Sequence, residues 1–318
     1  IAQAAPPSPC GRRGSRWTLL GRLAMMPPRG GVVLGLANQV QTTEDLAARR
    51  YWETRARDWR VSPPLTPAPE DIAWYEATIS GCAHALAARP LRAILLGVTP
   101  GIATMRWPAG TSLLSVDRAQ GMVAHVWPRA GFPDETEVVR ADWRQLPLAS
   151  GSVDLVVGDG CYAAMGSLAS ARQLNGEVRR VLKHGGWYCT RAFCRRDPGP
   201  TTDALFEELE GGGVDNLDLF RWRLAMAVHG DSADGVTLGK VWRTWQEHVR
   251  DVEADVRRWS ADQRLNMARW ENVEARFSFP SLSELRALAE PGFDLVSCEL
   301  PGYASAEHFP RLLMRARA

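Results

Sequence analysis

"LLGVTPGIA", residues 95–103, is the stretch on which the reading of the fold turns. It closes an apolar run that begins at Arg92, the pattern of a short strand buried on both faces. Gly97 ends the run and leaves room for close approach to the backbone. Thr99 suits a helix N-cap, and Pro100 suits the first helical position, where no N–H is needed. The sequence therefore writes a tight strand-to-helix turn without a run of glycines. The free amides at such a helix start can receive a carboxylate.

The same alternation continues outward. Residues 111–117, 136–141, 152–158 and 187–193 read as further short strands. Residues 100–106, 118–127 and 168–183 read as helices between them, the last with Leu174, Val178, Val181 and Leu182 on one face. Strands alternating with helices predict a parallel sheet with right-handed crossovers. "LKHGG", residues 182–186, reads as a helix end with glycine in the left-handed C-cap position. Past Phe193 the alternation stops, and residues 201–275 are nearly all helical in pattern. Val241, Trp245, Val249, Val252, Val256 and Trp259 form an amphipathic stripe there. Ser281 and Glu284 offer a capping box for a helix to about Ala289, and two closing strands follow at 293–300 and 309–316.

Ahead of this core, residues 43–59 read as a helix capped by Thr42 or Thr43, with Ala48, Trp52, Arg55 and Trp59 along one face. The proline-rich connector 62–71 leads to a second helix, 70–88. The fold class is α/β: a doubly wound, mostly parallel sheet with a helical insertion after the fifth core strand. The domain reading is residues 1–41 as disordered or an extension upstream of Met25 or Met26, 42–89 as N-terminal helices, 90–200 as the α/β core, 201–280 as the insertion or lid, and 281–318 as the closing helix and strands.

Bulk properties exclude several classes. The 318 residues are 45% hydrophobic and 23% charged, with a net charge of +2. Residues 1–43 hold five arginines and no acid; without them 33 basic residues face 36 acidic ones. That balance argues against a nucleic-acid partner. The longest apolar run near the start, 30–37, is too short for a membrane span. The six cysteines (10, 82, 161, 189, 194 and 298) form no Cys-x-x-Cys pair, so no metal site and no disulfide framework is expected, and the cytoplasm is the expected compartment. Nothing in the spacing sets an oligomeric state.

Candidate site residues fall at the carboxyl ends of successive strands, the edge where open α/β sheets bind ligands. Gly97, Thr99 and Gly101 form the first turn. Asp117 ends the second strand, where an acid can accept both hydroxyls of a ribose. Asp142 with Trp143 ends the third. Gly158, Asp159 and Gly160 end the fourth, with Tyr162 close behind. Each also has a purely structural reading, as a turn, a cap or a core residue.

Taken together, "LLGVTPGIA", "LLSVD", "ADWRQLP", "SVDLVVGDG" and "VRRVLKHGGW" resemble the ordered motifs of the class I S-adenosylmethionine-dependent methyltransferases over residues 90–200. The resemblance implies a Rossmann-like sheet and S-adenosylmethionine as cofactor. It implies cofactor roles for Gly97, Thr99, Gly101, Asp117, Asp142 and Trp143, with Arg118 and Gly158 alongside them. The chain departs from the family at Leu95, where an acid is usual, at Thr99 for the middle glycine, and at His184 for a proline. The late helices are similar to the covers that small-molecule members build over the cofactor, and Arg221, Arg223, Met226, His229 and the 241–259 helix would line the space beneath. Asp159, Tyr162 and His229 are the catalytic candidates. The acceptor is expected to be a small molecule. Two other readings share part of the pattern: a nicotinamide-dependent oxidoreductase, and a non-catalytic cofactor-binding relative.

Overall fold

A computed structural model describes residues 32–34, 42–86, 90–128, 132–133, 135–249 and 258–318. Its centre is a sheet of eight strands in the order β1-β4-β3-β2-β5-β6-β10-β9. These are β1 Val32–Leu34, β2 Arg92–Leu96, β3 Ser112–Asp117, β4 Glu135–Arg140, β5 Val153–Asp159, β6 Leu182–Arg191, β9 Phe293–Glu299 and β10 Arg311–Ala316. Pairing is parallel from β1 through β6; β10 runs antiparallel to both β6 and β9. The strand order reverses between β3 and β5, on either side of β2. That reversal opens a crevice at the carboxyl ends of the central strands.

The central strands are apolar because both their faces are covered. Ile94, Leu96, Val156, Leu174 and Val178 belong to one cluster, with α5 (Leu168–Val181) on that face. Leu95, Leu155 and Val157 join Tyr75 and Ile79 of α2 (Pro69–Ala85) on the other. Helix α1, Thr43–Ala56, opens on the expected cap: Thr42 Oγ1 accepts the Asp45 amide at 3.1 Å and Asp45 Oδ2 accepts the Thr42 amide at 3.3 Å. It ends at Ala56, so Trp59 lies beyond it. The Ser281–Glu284 capping box opens a helix at Leu282–Ala289 as expected.

Three expectations need correction. The crossover after β3 is a π-helical turn, Met122–Val126, and not a regular helix over 118–127. Its entry is fixed from outside, because Glu53 of α1 accepts the amides of Gln120 and Gly121 at 2.7 and 2.6 Å. The helix before β6 is not capped by glycine: it ends at Val181 with Leu182 extended. Gly185, at φ +71°, instead serves the bulge by which β6 leaves and rejoins β5. The region 201–275 also contains a strand. Helices α3 Pro100–Ala103 and α4 Cys161–Ala164 belong to the core. Beyond β6 come α6 Thr202–Glu210, α7 Leu217–His229, α8 Leu238–His248 and α9 Ala261–Ala268, followed by the capped helix, α10. Between them β7 Val236–Thr237 pairs with β8 Arg276–Phe277 as a ribbon, β8 lying just past the stretch read as helical.

Val241, Trp245 and Trp259 are buried in one aromatic-rich cluster with Phe206, Phe220 and Trp222. The stripe is therefore core; Val252 and Val256 lie outside the described residues. So does the reading of residues 1–41, apart from the three that form β1. Among the described residues no helix is long and apolar enough to cross a membrane.

Candidate functional site

The strand-end crevice is a cleft of about 1150 Å³, its open mouth included. One half is built from the ends of β2, β3, β4 and β5; the other is walled by α1, α7 and β8.

In the first half, Gly97 takes φ +94°, a conformation that disfavours any side chain. The Trp143 ring stands over it, 3.4 Å from where a Cβ would lie. Trp143 is fixed there by donating its indole N–H to the Val116 carbonyl at 2.6 Å. Thr99 occupies the N-cap of α3, but its side chain makes no capping bond, and α3 is a single turn. Asp117 is only 8% exposed, and its Oδ1 accepts the Ala119 amide at 2.8 Å. Burial pushes its carboxyl up to about 7; the Ala119 amide and Arg118 oppose this and Glu53 adds to it. An ionised carboxylate can accept several hydrogen bonds, so Asp117 has capacity left for a diol.

Asp142 is more occupied. Arg144 holds it on both oxygens, from Nε at 3.0 Å and from Nη2 at 2.7 Å. Burial raises its carboxyl, yet Arg144 brings it below the ordinary value overall. Arg144 and Arg118 both reach Asp45 of α1 as well, at 2.6 and 3.2 Å. This network and Glu53 fasten α1 across the loops after β3 and β4.

Asp159 lies at the end of β5 with Arg191 of β6 on it, at 2.7 Å to Oδ1 and 3.2 Å to Oδ2. Burial pushes the carboxyl up, and Arg191 opposes it. Arg191 is fully buried and also reaches Asp71 at 3.0 Å, the Tyr303 hydroxyl at 3.1 Å and the Pro64 carbonyl at 2.8 Å. An Arg that ends a buried strand next to apolar Ala192 and Phe193 is the sequence signal for such a buried partner set.

Gly97, Thr99, Asp117, Arg118, Asp142, Trp143 and Asp159 thus meet in the cleft. Four expected residues do not. Gly101 faces α2, where a Cβ would lie 3.2 Å from Ile72. Gly158 makes room for Cys161 Sγ, 2.8 Å from where its Cβ would be. Tyr162 is core: it is 1% exposed, donates to Asn175 Oδ1 at 2.8 Å, and burial raises its hydroxyl. His229 is also buried, and both ring nitrogens are used. Nε2 accepts the Phe279 amide at 3.2 Å, which places the proton on Nδ1, 2.7 Å from the Gly230 carbonyl. Burial lowers its pKa, so the neutral ring is favoured.

Of the described residues expected beneath the cover, Arg221 alone lines this cleft. Arg223 pairs with Glu208 at 2.7 Å, and Met226 faces a separate pocket with Arg195 and His308. The second half of the cleft is aromatic instead, from Tyr51, Trp52, Trp59, Phe193, Trp222 and Phe277. Leu95 is explained too: it is fully buried in the cluster under α2 and does not line the cleft. Among the described residues no group of three or more His, Cys, Asp or Glu side chains is placed to hold a metal.

Residues 94–190, from within β2 to the end of β6, match a family model described as a methyltransferase domain. That stretch carries a methyltransferase domain, in keeping with the class I S-adenosylmethionine-dependent methyltransferases and with S-adenosylmethionine as the cofactor. No curated protein matches the sequence. Among solved structures, a Rhodobacter sphaeroides protein provisionally named a Zn-dependent alcohol dehydrogenase is similar with TM-score 0.54 and 12% identity, over 86% of this chain and 98% of that one. The magnesium protoporphyrin IX methyltransferase of Synechocystis, with bound S-adenosylmethionine, gives 0.49 and 10% over 88% and 100%. The N-methyltransferase NodS of Bradyrhizobium japonicum gives 0.44 and 9% over 84% and 99%. At 12% identity the likeness to the Rhodobacter protein is one of fold.

The cleft suits that cofactor on its own geometry, with a Cβ-free turn at Gly97 and a carboxylate at Asp117 with lone pairs to spare. His229 is held by its two bonds away from the residues that line the cleft. His229→Gln is expected to cost stability of about 1–2 kcal/mol and to leave the Kd for S-adenosylhomocysteine within about twofold. Calorimetry showing a Kd weakened tenfold or more would return the imidazole to the site.

Proposed function

We propose that the protein transfers the methyl group of S-adenosylmethionine to a small-molecule acceptor beneath a helical lid. The observation that carries this reading is the two-part cleft: strand-end residues in one half, aromatic side chains of α1, α7 and β8 in the other. In this reading residues 90–200 and 281–318 are one α/β domain, 42–89 are its N-terminal helices, and 201–280 are the lid. The inner face of the lid is α7 and β8, because α8 is spent on core packing. The low net charge and the apolar acceptor half favour a small molecule over nucleic acid.

When bound, the cofactor supplies a methyl group already activated on a sulfonium. The protein's work is then alignment and exclusion of water. Asp117 holds the ribose hydroxyls, Gly97 admits the cofactor close to the backbone, and Trp143 forms an apolar wall. The aromatic half keeps the reacting atoms dry. Asp159, gripped on both oxygens by Arg191, shapes the floor and is a poor general base. Alignment of the two reactants can supply a large part of the rate without one.

The test is direct. Purified protein is analysed by mass spectrometry for retained ligand, then assayed by thermal shift with S-adenosylhomocysteine and with NAD, and by release of S-adenosylhomocysteine in single turnover over an acceptor panel. Stabilisation by S-adenosylhomocysteine and its release with an acceptor are expected. Stabilisation by NAD alone would overturn the cofactor assignment. Binding without turnover on any acceptor would leave a cofactor-binding protein with no transferase role.

A further inference from the structure

The acceptor half of the cleft is not uniformly apolar. Arg221 of α7 lines it and is only 5% exposed. Its guanidinium lies 4.4 Å from the Trp270 ring centre, bonds the Asn266 carbonyl through Nη1, and meets Asp218 Oδ1 through Nη2 at 3.1 Å. Its Nε is buried with no partner among the described residues. The next residue, Trp222, also lines the cleft, and its indole N–H is buried and unpartnered in the same way. A third donor set lines the same cleft from α1. Arg55, 9% exposed, gives its guanidinium only to backbone, the carbonyls of Asp58 at 3.5 Å and Arg60 at 3.1 Å. Among the described residues no carboxylate is within ion-pairing distance of it.

Buried donors left unmade are costly, and two adjacent ones at a ligand cleft mark where an acceptor atom belongs. The charge points the same way. The guanidiniums of Arg55, Arg60, Arg221 and Arg269 are set against three carboxylates, Asp58, Asp218 and Asp262: Arg60 and Arg269 share Asp58, Arg60 also holds Asp262, and Arg221 holds Asp218. Among the described residues, Arg55 is the one of these four with no carboxylate in ion-pairing range, although its charge still acts on Asp58. It and Arg269 repel Arg221, although burial is the main force that brings the Arg221 pKa down to about 10. A wholly neutral, apolar acceptor would leave all of this uncompensated. The surrounding rings form one edge-to-face run, with Phe193–Trp222 at 5.6 Å, Trp222–Phe277 at 5.1 Å and Phe277–Tyr51 at 5.7 Å between centres. Such walls suit a flat partner.

We infer that the methyl acceptor is a flat aromatic molecule carrying a carboxylate, and that Arg221, Trp222 and Arg55 receive that carboxylate. The inference rests on the methyl-transfer reading above and narrows its acceptor to a chemical class. The cofactor also bears a carboxylate, so the experiment must separate the two sources.

Binding of benzoate, 2-naphthoate and indole-3-acetate is measured by calorimetry, each against its primary amide, on protein saturated with S-adenosylhomocysteine and on protein without it. With the cofactor product bound, at least one acid is expected to bind more tightly than its amide by about tenfold or more, the worth of a charge-assisted bond. Trp222→Phe, which removes one N–H and keeps the ring, should narrow that preference severalfold. Arg221→Met should abolish it. Because Arg221→Met strands Asp218, the double variant Arg221→Met/Asp218→Asn is measured beside it. Equal binding of acid and amide, or no binding of any acid, overturns the inference. So does a preference that survives in the double variant. A preference seen only without S-adenosylhomocysteine assigns the cations to the cofactor's own carboxylate, which overturns the inference and leaves methyl transfer standing. Failure of S-adenosylhomocysteine itself to bind removes the reading beneath.

Discussion

Asp117→Asn is expected to weaken S-adenosylhomocysteine binding by about a hundredfold and to raise the thermal stability of the free protein at pH 8. The loss follows from two hydroxyl bonds to a carboxylate, each on the order of 1.5–3 kcal/mol. Asparagine keeps one oxygen for the Ala119 amide but offers an NH₂ where a hydroxyl should donate. The gain follows from burial. The Asp117 carboxyl sits at about 7 in the fold against an ordinary 3.8, with burial the largest cause. The folded state therefore holds a proton that the unfolded chain releases. The stability contribution of this group is fully present below pH 4, falls as pH rises from 4 to 7, and becomes a cost of a few kcal/mol above that range. Asparagine removes the cost. The same sign governs binding: the diol needs the carboxylate, so wild-type affinity should fall as pH drops from 8 to 6. Affinity in Asp117→Asn should stay flat, apart from the ligand's own amino group, for which the variant is the control. Calorimetry giving a Kd within about threefold of wild type would refute the assignment.

Arg191→Met should be the most destabilising single change in the core of the molecule. Arg191 has no exposed side-chain surface, and it holds Asp71 and Asp159 together. Removing it leaves two buried carboxylates facing each other. Breaking a buried pair from one side costs about 3–5 kcal/mol, which in a chain of this size lowers the unfolding midpoint by roughly 10 °C. Asp71 keeps a second partner in Arg311 at 2.8 Å, so the deficit falls mainly on Asp159. Arg191→Met/Asp159→Asn should accordingly recover part of the loss, a coupling that a double-mutant cycle measures. A single-variant cost under about 1 kcal/mol, by thermal or urea unfolding, would mean the network is not what holds β5 to β6 at the cleft.

The sheet was legible because a strand buried on both faces has few alternatives. Arg92–Leu96 and Val153–Asp159 are too short and too apolar to be anything but central strands, and their ends put Gly97 and Asp159 at one edge. Caps were legible where a side chain and an amide three residues on satisfy each other, as at Thr42 and Ser281. What failed was facing. Tyr162 follows the β5 turn within a single turn of helix, and nothing in a four-residue element says which way its side chains point. His229 ends a helix buried nearly all round, so periodicity could not distinguish cleft from core. Arg55 shows the reverse case. It lay on the apolar face of α1 with Ala48 and Trp52, and a cation in that company is already the sign of a lined pocket. Arg191 carried the same sign within its strand.

Helix α1 has a consequence for both halves of the cleft. Its Asp45 and Glu53 grip the loops beside the cofactor half, and its Tyr51, Trp52 and Arg55 wall the other half. Both compartments therefore lean on one rigid rod. Any adjustment of that rod when one compartment fills alters the shape and charge offered by the other. By thermodynamic linkage the effect is reciprocal: the factor by which S-adenosylhomocysteine changes acceptor affinity is the factor by which the acceptor changes its own. A helix outside the matched methyltransferase domain is thus a wall common to both compartments, and the proposed acceptor and the spent cofactor would share any coupling it carries in equal measure.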